Sequence, residues 1–198
     1  MSDCSLFYRW FGGIIVGLFD RFRKKEIPVD NKIKENLALI DKLLSMDIKD
    51  IWNIEDSRLF VIAMNSWVCR KCGDGERMTA LTKEERVFFV VMGLDAEVNN
   101  GGFDQYLYNS SGNFANELLP SLRTIGANQT ADIFSRALNA LGCELPSDRE
   151  RRIDLLSELR TDEISTILDE CDEQYYKYPD DIEVLCYQFI MKNKSRFV

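Results

Sequence analysis

Residues 82–103 read TKEERVFFVVMGLDAEVNNGGF, and this stretch decides the fold class. Thr82 and Glu85 have the spacing of a capping box, in which two side chains bond backbone N–H groups at the start of a helix. After them, apolar side chains recur at helical spacing, at Val87, Phe88, Val91, Leu94 and Val98. That spacing places them on one side of an α-helix, so the stretch predicts an amphipathic helix that begins just after Thr82.

The end of the stretch, residues 99–102, predicts a break in that helix. Glycine tolerates the left-handed backbone that helix ends often adopt. The apolar pattern stops at Val98 and resumes at Phe103, which indicates a second, short helix over residues 103–108. We therefore expect a joint between two packed helices with Phe103 buried in it.

The same helical period extends outward from this stretch, from about residue 31 to residue 191. We find no alternating apolar and polar runs bounded by turns, which is the pattern of half-buried strands. The sequence therefore predicts an all-α fold, a compact bundle of about seven to nine helices built from helical hairpins. An α-solenoid is the alternative arrangement, although no fixed repeat length supports it.

Three local features predict helix boundaries. Pro120 lies inside an apolar helical pattern and should kink or divide that helix near Leu118, because proline lacks the backbone N–H. Ser147 and Glu150 have capping-box spacing, which predicts a helix capped by Ser147. Residues 69–79 are rich in glycine and charge and predict a loop.

Residues 1–28 differ in composition from the rest and are interpreted as an N-terminal appendage, with residues 29–198 as a single all-α domain. An apolar, aromatic stretch precedes the basic run of residues 21–25. The apolar stretch is too short to span a bilayer, so no stable membrane insertion is expected. Three interpretations stay open: a helix that binds a membrane surface or a partner, a mobile or docked chain end, and an extension (residues 1–15) upstream of the natural start.

The charge balance argues against direct nucleic-acid binding. The chain has 25 basic and 33 acidic residues, a net charge of −8, whereas phosphate contacts need clustered Lys and Arg. Between Glu144 and Glu183, fourteen acidic residues outnumber five basic ones, a local net of −9. A solvated surface is the plain interpretation of this charge. The functional interpretation is an acidic face that binds a basic partner, made of Asp162, Glu163, Asp169, Glu170, Asp172, Glu173, Asp180 and Asp181.

Residue types exclude several kinds of catalysis and metal site. The chain has no histidine, so Ser-His-Asp and Cys-His catalysis are excluded, and we find no other paired catalytic set. The six cysteines include one CxxC pair, Cys69 and Cys72, without the further ligands that zinc needs. We predict no enzyme activity, no cofactor, no metal and no structural disulfide, and a cytoplasmic location with reduced thiols.

The segment from residue 99 to residue 112 concentrates amides, hydroxyls and glycines. One interpretation is a helix junction held by bonds from side chains to the backbone. The other is a polar pocket for a small ligand or a peptide, since glycines allow close approach of the backbone. The residues of this motif are Asn99, Asn100, Gly101, Gly102, Phe103, Gln105, Tyr106, Asn109, Ser110 and Ser111.

Several of these motifs resemble the signature of a bacterial DNA-mimic protein family. The shared elements are residues 82–86 (TKEER), 97–103 (EVNNGGF), 105–106 (QY), 109–112 (NSSG) and 125–127 (IGA). The resemblance covers about residues 59–145. It implies an all-α fold and a dimeric acidic protein that occupies the DNA site of a transcription factor, so a homodimer is an expectation from the resemblance.

Functions of three classes follow as expectations. The leading one is a non-enzymatic interaction protein, a DNA mimic that binds a basic, DNA-binding protein through its acidic C-terminal helices. The alternative is a small-ligand or peptide-binding module that uses residues 99–112. An enzyme is the third, and it would have to work without histidine.

Overall fold

A computed structural model describes residues 31–198, and the predictions for residues 1–28 lie outside the described residues. Over the described part the chain forms α-helices and short 3₁₀ turns, with no strand. The helices are α1 (Asn31–Ser45), α2 (Ile48–Ile51), α3 (Ser57–Cys72), α4 (Lys83–Tyr108), α5 (Ala115–Ile125), α6 (Asn128–Leu141), α7 (Arg149–Leu159), α8 (Asp162–Tyr175) and α9 (Ile182–Lys192). The predicted all-α fold class is confirmed. None of these helices is both long enough and apolar enough to cross a bilayer.

The described residues divide into two compact units. Residues 31–81 with Val198 form one unit, and Thr82–Phe197 form the other. The interpretation of residues 29–198 as a single domain stays a prediction.

In the first unit, α1 and α2 pack against α3. Side chains of α3 bind carbonyl groups at the end of α1: the Ser66 hydroxyl donates to the Leu44 carbonyl over 2.8 Å, and Arg70 donates to the Met46 carbonyl over 2.5 Å. These bonds satisfy acceptors that a helix end leaves without partners.

The predicted loop at residues 69–79 is wrong in its first part. Helix α3 continues through Cys72 and ends at Gly73, whose φ of 59° is left-handed. Cys69 and Cys72 are both buried inside this helix with free thiols, and burial raises the pKa of each thiol. Because the thiolate is the reactive form, burial makes these cysteines less reactive at neutral pH.

The second unit is built around α4, which packs against α5 and α8, while α6 packs against α5 and α8. Its core contains an aromatic group centred on Phe103, which is fully buried as predicted. The Phe103 ring stacks on Phe134 with centroids 6.2 Å apart and meets Tyr175 edge to face at 6.0 Å. Tyr106 meets Phe134 edge to face at 5.8 Å. These contacts join α4, α6 and α8, since such aromatic geometries are favourable.

Two helix starts and one proline inside a helix test the local predictions in this unit. The capping box at Thr82 and Glu85 is confirmed, with both reciprocal hydrogen bonds formed. The cap of α7 is Asp148, whose carboxylate accepts from the Arg151 N–H, so the predicted Ser147 cap is wrong by one residue. Helix α5 is continuous across Pro120, so the predicted division near Leu118 is also wrong.

Candidate functional site

Helix α4 is broken at the predicted glycines. Gly101 has φ and ψ of −169° and 29°, and Gly102 has 76° and −175°, both outside the helical region. We call the part before the break α4a (residues 83–100) and the part after it α4b (residues 103–108). The conformation of Gly102 is essentially restricted to glycine, because a side chain would clash with the backbone there. A Cβ on Gly102 would also collide with the carboxylate of Asp172.

The carboxylate of Asp172 on α8 holds the start of α4b. Its Oδ1 accepts a hydrogen bond from the Phe103 backbone N–H over 2.7 Å. The first N–H groups of a helix have no partner within the helix, so Asp172 acts as a cap supplied by another helix. Burial raises the pKa of Asp172, and the nearby carboxylates of Asp104 and Asp169 raise it further, while the bond from Phe103 lowers it.

Three tyrosines at the end of α8 bind the last turn of α4a. The Tyr176 hydroxyl donates to the Val98 carbonyl over 2.8 Å, which satisfies an acceptor at the helix end. The Tyr175 hydroxyl donates to the Asp95 carboxylate over 2.6 Å. The third tyrosine, Tyr178, donates to the Asn99 side-chain carbonyl over 2.9 Å. We call Tyr175, Tyr176 and Tyr178 the tyrosine cluster. Together with Asp172 it fixes α8 against both sides of the break.

The Glu97 carboxylate connects α4a to α4b and to the turn that follows. Its Oε2 accepts from the side-chain amides of Gln105 over 2.7 Å and Asn109 over 2.8 Å. Its Oε1 accepts from the Ser111 hydroxyl over 3.1 Å. Three polar side chains of the motif therefore bond an internal acceptor, which is a carboxylate and not the backbone group that the junction interpretation named.

Arg152 on α7 holds the other end of α4b. It is fully buried, and its guanidinium donates to the carbonyls of Leu107 and Asn109, each over 2.7 Å. The negative end of a helix favours a cation at this position. A Cβ on Gly112 would come within 2.9 Å of Nε of Arg152, which explains the glycine in the NSSG turn. Burial lowers the pKa of Arg152.

Tyr106 contributes a buried polar group to the motif. Among the described residues, its hydroxyl is a buried side-chain oxygen without a hydrogen-bond partner. Burial raises its pKa far above the ordinary tyrosine value. The ring itself packs against Phe134, so the residue serves the aromatic core.

Half of the predicted acidic face has internal partners. Asp172 caps α4b, as described above. Asp180 accepts from the Thr130 N–H over 2.7 Å at the start of α6, and Asp181 caps α9 by accepting from the Val184 N–H over 3.0 Å. Glu170 pairs with Arg136 of α6 in an exposed ion pair. Each of these four carboxylates has at least one bond within the fold, and the exposed pair of Glu170 with Arg136 adds little stability.

The other half of the predicted face is available to a partner. Asp162, Glu163, Asp169 and Glu173 are exposed on α8, and no hydrogen bond or ion pair within residues 31–198 engages their carboxylates. Asp162, Asp169 and Glu173 are separated by seven and four residues, which places them on one side of the helix. The structure thus brings a single row of unpartnered carboxylates to the surface of α8.

The structure shows no metal-binding group among the described residues and one small cavity beside the motif. The part of the chain that the structure describes contains no group of His, Cys, Asp and Glu arranged to hold a metal ion. A cavity beside Asp104, Tyr108 and Arg160 has a volume of about 10 Å³, which fits one water molecule. The roles predicted for the motif and the acidic face stay predictions.

Sequence reasoning missed the residues that hold the break. Asp95 and Arg152 were not singled out, and Glu97 appeared only as part of the EVNNGGF element, because isolated charges on a helix surface resemble solvated ones. The tyrosine cluster had a visible signal: the run QYYKYPD at residues 174–180 places three phenols in four positions at a helix end. A hydroxyl on an aromatic body suits bonding to a carbonyl at a partly buried helix terminus.

A family model described as DMP19-like protein matches residues 79–193. The match covers more than half of the chain and includes α4 through α9, and therefore both the break and the acidic row. No curated protein and no solved structure matches the chain.

Proposed function

The chain belongs to the DMP19-like protein family, and we propose that it is a non-enzymatic interaction protein that imitates the charge of DNA. Its partner is a basic, DNA-binding protein, a transcription factor being the kind that the resemblance to DNA-mimic proteins implies. The observation that supports the proposal most is the row of unpartnered carboxylates Asp162, Asp169 and Glu173 on α8, with Glu163 beside it.

The spacing of the row suits this role. An α-helix rises about 1.5 Å per residue, so the row's carboxylates are separated by about 10.5 Å and about 6 Å along the axis. One DNA strand advances about 3.4 Å per phosphate, so these intervals correspond to about three and two phosphates. Basic side chains placed to contact phosphates three and then two positions apart on one strand would find carboxylates at similar axial intervals.

The row is attached to a helix that is held in place. Asp172, Tyr175 and Tyr176 bind α8 to α4 on both sides of the break. A binding surface that is ordered before the partner arrives loses less conformational entropy on binding. The motif residues therefore contribute to binding indirectly, because they help to fix the helix that carries the carboxylates.

The same charge argues against DNA as the partner. Phosphates would approach carboxylates with like charge, and such juxtaposition costs several kcal/mol. The internal bonds of Gln105, Asn109 and Ser111 to Glu97 also favour the junction interpretation over a ligand pocket, because their donors are already used. The interaction protein is thus the function that the geometry supports best.

The experiment is affinity capture from a bacterial lysate with the full chain, followed by elution with duplex DNA. A protein bound in place of DNA should be displaced by duplex DNA, so the eluate should contain DNA-binding proteins identified by mass spectrometry. The matched control replaces Glu35, Asp41, Asp50 and Glu55, exposed carboxylates of the first unit, by their amides.

The test variant replaces Asp162, Glu163, Asp169 and Glu173 by their amides, which changes the net charge by the same amount as the control. Capture should fail with this variant and persist with the control, because specific contacts and not net charge alone select the partner. Equal capture by both variants, or no protein eluted by duplex DNA, would contradict the proposal.

A further inference from the structure

Two members of the tyrosine cluster have rings at the surface although their hydroxyls are bonded. The Tyr176 side chain is 44% exposed and the Tyr178 side chain 63% exposed, while their hydroxyls donate to Val98 and Asn99. A tyrosine whose polar end is fixed inward presents its ring to the solvent. Tyrosine is also among the residues most enriched at sites that dominate binding energy.

The backbone that follows these rings is held by two hydrogen bonds to the start of α6. The Gln129 side-chain amide donates to the Pro179 carbonyl over 2.8 Å, and Asp180 accepts from the Thr130 N–H. Tyr178 itself has a φ of 49°, a left-handed conformation that is rare for a residue with a large side chain. The anchored segment keeps the Tyr178 ring exposed and limits its freedom to turn into the core.

The electrostatic surroundings of the rings are negative. The carbonyl end of α8 lies at Tyr175 and bears a partial negative charge. Besides burial, the negative charge of Asp172 raises the pKa of Tyr176. Besides burial, the negative charge of Asp181 raises the pKa of Asp95, which accepts from the Tyr175 hydroxyl. Burial raises the pKa of Asp95 and of Asp172, and no basic residue contributes to lowering either. The exposed Lys177, between the two rings in sequence, is the one positive charge from residue 161 to residue 191.

We propose that Tyr176 and Tyr178, with the carboxylates of Asp172 and Asp181, form a site for an arginine side chain of the basic partner. The site rests on the proposed function and adds a specific contact to it. A guanidinium is attracted to the face of an aromatic ring, stacks on it, and is more weakly hydrated than an ammonium. DNA-binding proteins use Arg for phosphates and base edges, so a mimic gains specificity by receiving that side chain.

Isothermal titration calorimetry at low salt tests the site with two acetylated peptides of equal charge. One alternates Gly with Arg, and the other alternates Gly with Lys. The arginine peptide should bind about two- to fivefold tighter, the range expected for one exposed contact between a cation and a ring. The Tyr178→Leu variant should lose this preference while the lysine peptide keeps its affinity, and Tyr178→Phe should retain it, because the ring remains.

Two further variants keep the test valid if Tyr178→Leu folds poorly. Lys177→Gln should tighten binding of both peptides, because a like charge beside the site is removed. Met191→Ala, which truncates another exposed apolar residue of the same unit, should change nothing. Circular dichroism confirms that each variant is folded before titration.

The outcomes separate this site from the proposed function. Equal affinity for both peptides in the wild type, with loss of binding when Asp162, Glu163, Asp169 and Glu173 become amides, would overturn the arginine site and leave the acidic row intact. Binding of neither peptide at low salt would contradict the proposed function as well. Loss of the arginine preference on Tyr178→Leu but not on Met191→Ala supports the site.

Discussion

The carboxylate of Asp172 accepts a hydrogen bond from the backbone N–H of Phe103 over 2.7 Å, across 69 residues of sequence. This single contact connects the NNGGF break to the helix that presents the acidic row. It also explains the glycine before Phe103, because a side chain at residue 102 would occupy the place of the carboxylate. The motif and the charge, separate in the sequence, form one structural unit.

Gly102→Ala should destabilise the protein by about 2–4 kcal/mol, because alanine is strained in this conformation and would displace the Asp172 cap. Gly142→Ala is the comparison variant: its φ of 68° and ψ of 11° lie in the ordinary left-handed region, and nothing lies within 4 Å of the added Cβ. It should cost about 1–2 kcal/mol from the backbone alone. Urea unfolding measures both, and equal costs would show that neither the backbone of Gly102 nor its contact with Asp172 makes this glycine special.

Phe103→Ala should lower the free energy of unfolding by about 3–5 kcal/mol, because it removes a fully buried ring that contacts α6 and α8. The measurement is chemical unfolding followed by circular dichroism. Val184→Ala, at a side chain that is 41% exposed, should change the midpoint little. An unchanged midpoint for Phe103→Ala would mean that the joint is misassigned.

Glu97→Ala should cost about 1–3 kcal/mol, since it leaves the donors of Gln105, Asn109 and Ser111 without their acceptor in a partly buried site. Glu97→Gln keeps one acceptor oxygen and should cost less. If both variants are as stable as the wild type, the three donors are satisfied by water and the Glu97 contacts do not stabilise the joint.

Stability should depend on pH through Asp95. Its pKa is raised in the folded state, mainly by burial, so the folded protein binds the proton more tightly than the unfolded chain does. The ionised carboxyl therefore opposes folding, and this contribution weakens as pH falls from the raised pKa toward about 4, the ordinary value for aspartate.

Asp95→Asn should flatten that part of the stability profile, because the side chain no longer titrates and keeps an oxygen that can accept from Tyr175. Thermal or urea unfolding at several pH values between neutrality and about pH 4 measures the slope. A slope as steep in Asp95→Asn as in the wild type would assign the pH dependence to other groups. Asp169→Asn, an exposed carboxyl on α8, is the comparison variant.

Much of the fold follows from local sequence signals, and the site does not. The capping box at Thr82 and the break at Gly101–Gly102 depend on a few neighbouring residues and were predicted at the right places. Contacts such as Asp172 with Phe103 join distant segments, so no local period indicates them. The same limit explains why Pro120 was expected to divide α5, since the surrounding helices override a local preference.

The acidic face shows this limit most clearly. In the sequence its eight carboxylates are equivalent, yet in the structure Asp172, Asp180 and Asp181 cap helices and Glu170 pairs with Arg136. Whether an acid caps a helix or meets a partner depends on which N–H groups the fold brings to it. A count from the sequence therefore overestimates the number of carboxylates that have no partner within the fold.

In the proposed function, α8 presents its carboxylate row to a basic protein in place of DNA. The most direct measurement is a titration of a captured DNA-binding partner with the wild type, at low and at moderate salt, in competition with labelled duplex DNA. We expect the protein to displace the duplex and not to bind DNA itself. Its affinity for the partner should weaken steeply with salt, because exposed charges are screened beyond about 8 Å at physiological ionic strength. Amide substitution of Asp162, Glu163, Asp169 and Glu173 should abolish the displacement, whereas the same number of substitutions at Glu35, Asp41, Asp50 and Glu55 should not. Displacement indifferent to salt and to the α8 variant, or direct binding of the protein to duplex DNA, would contradict it.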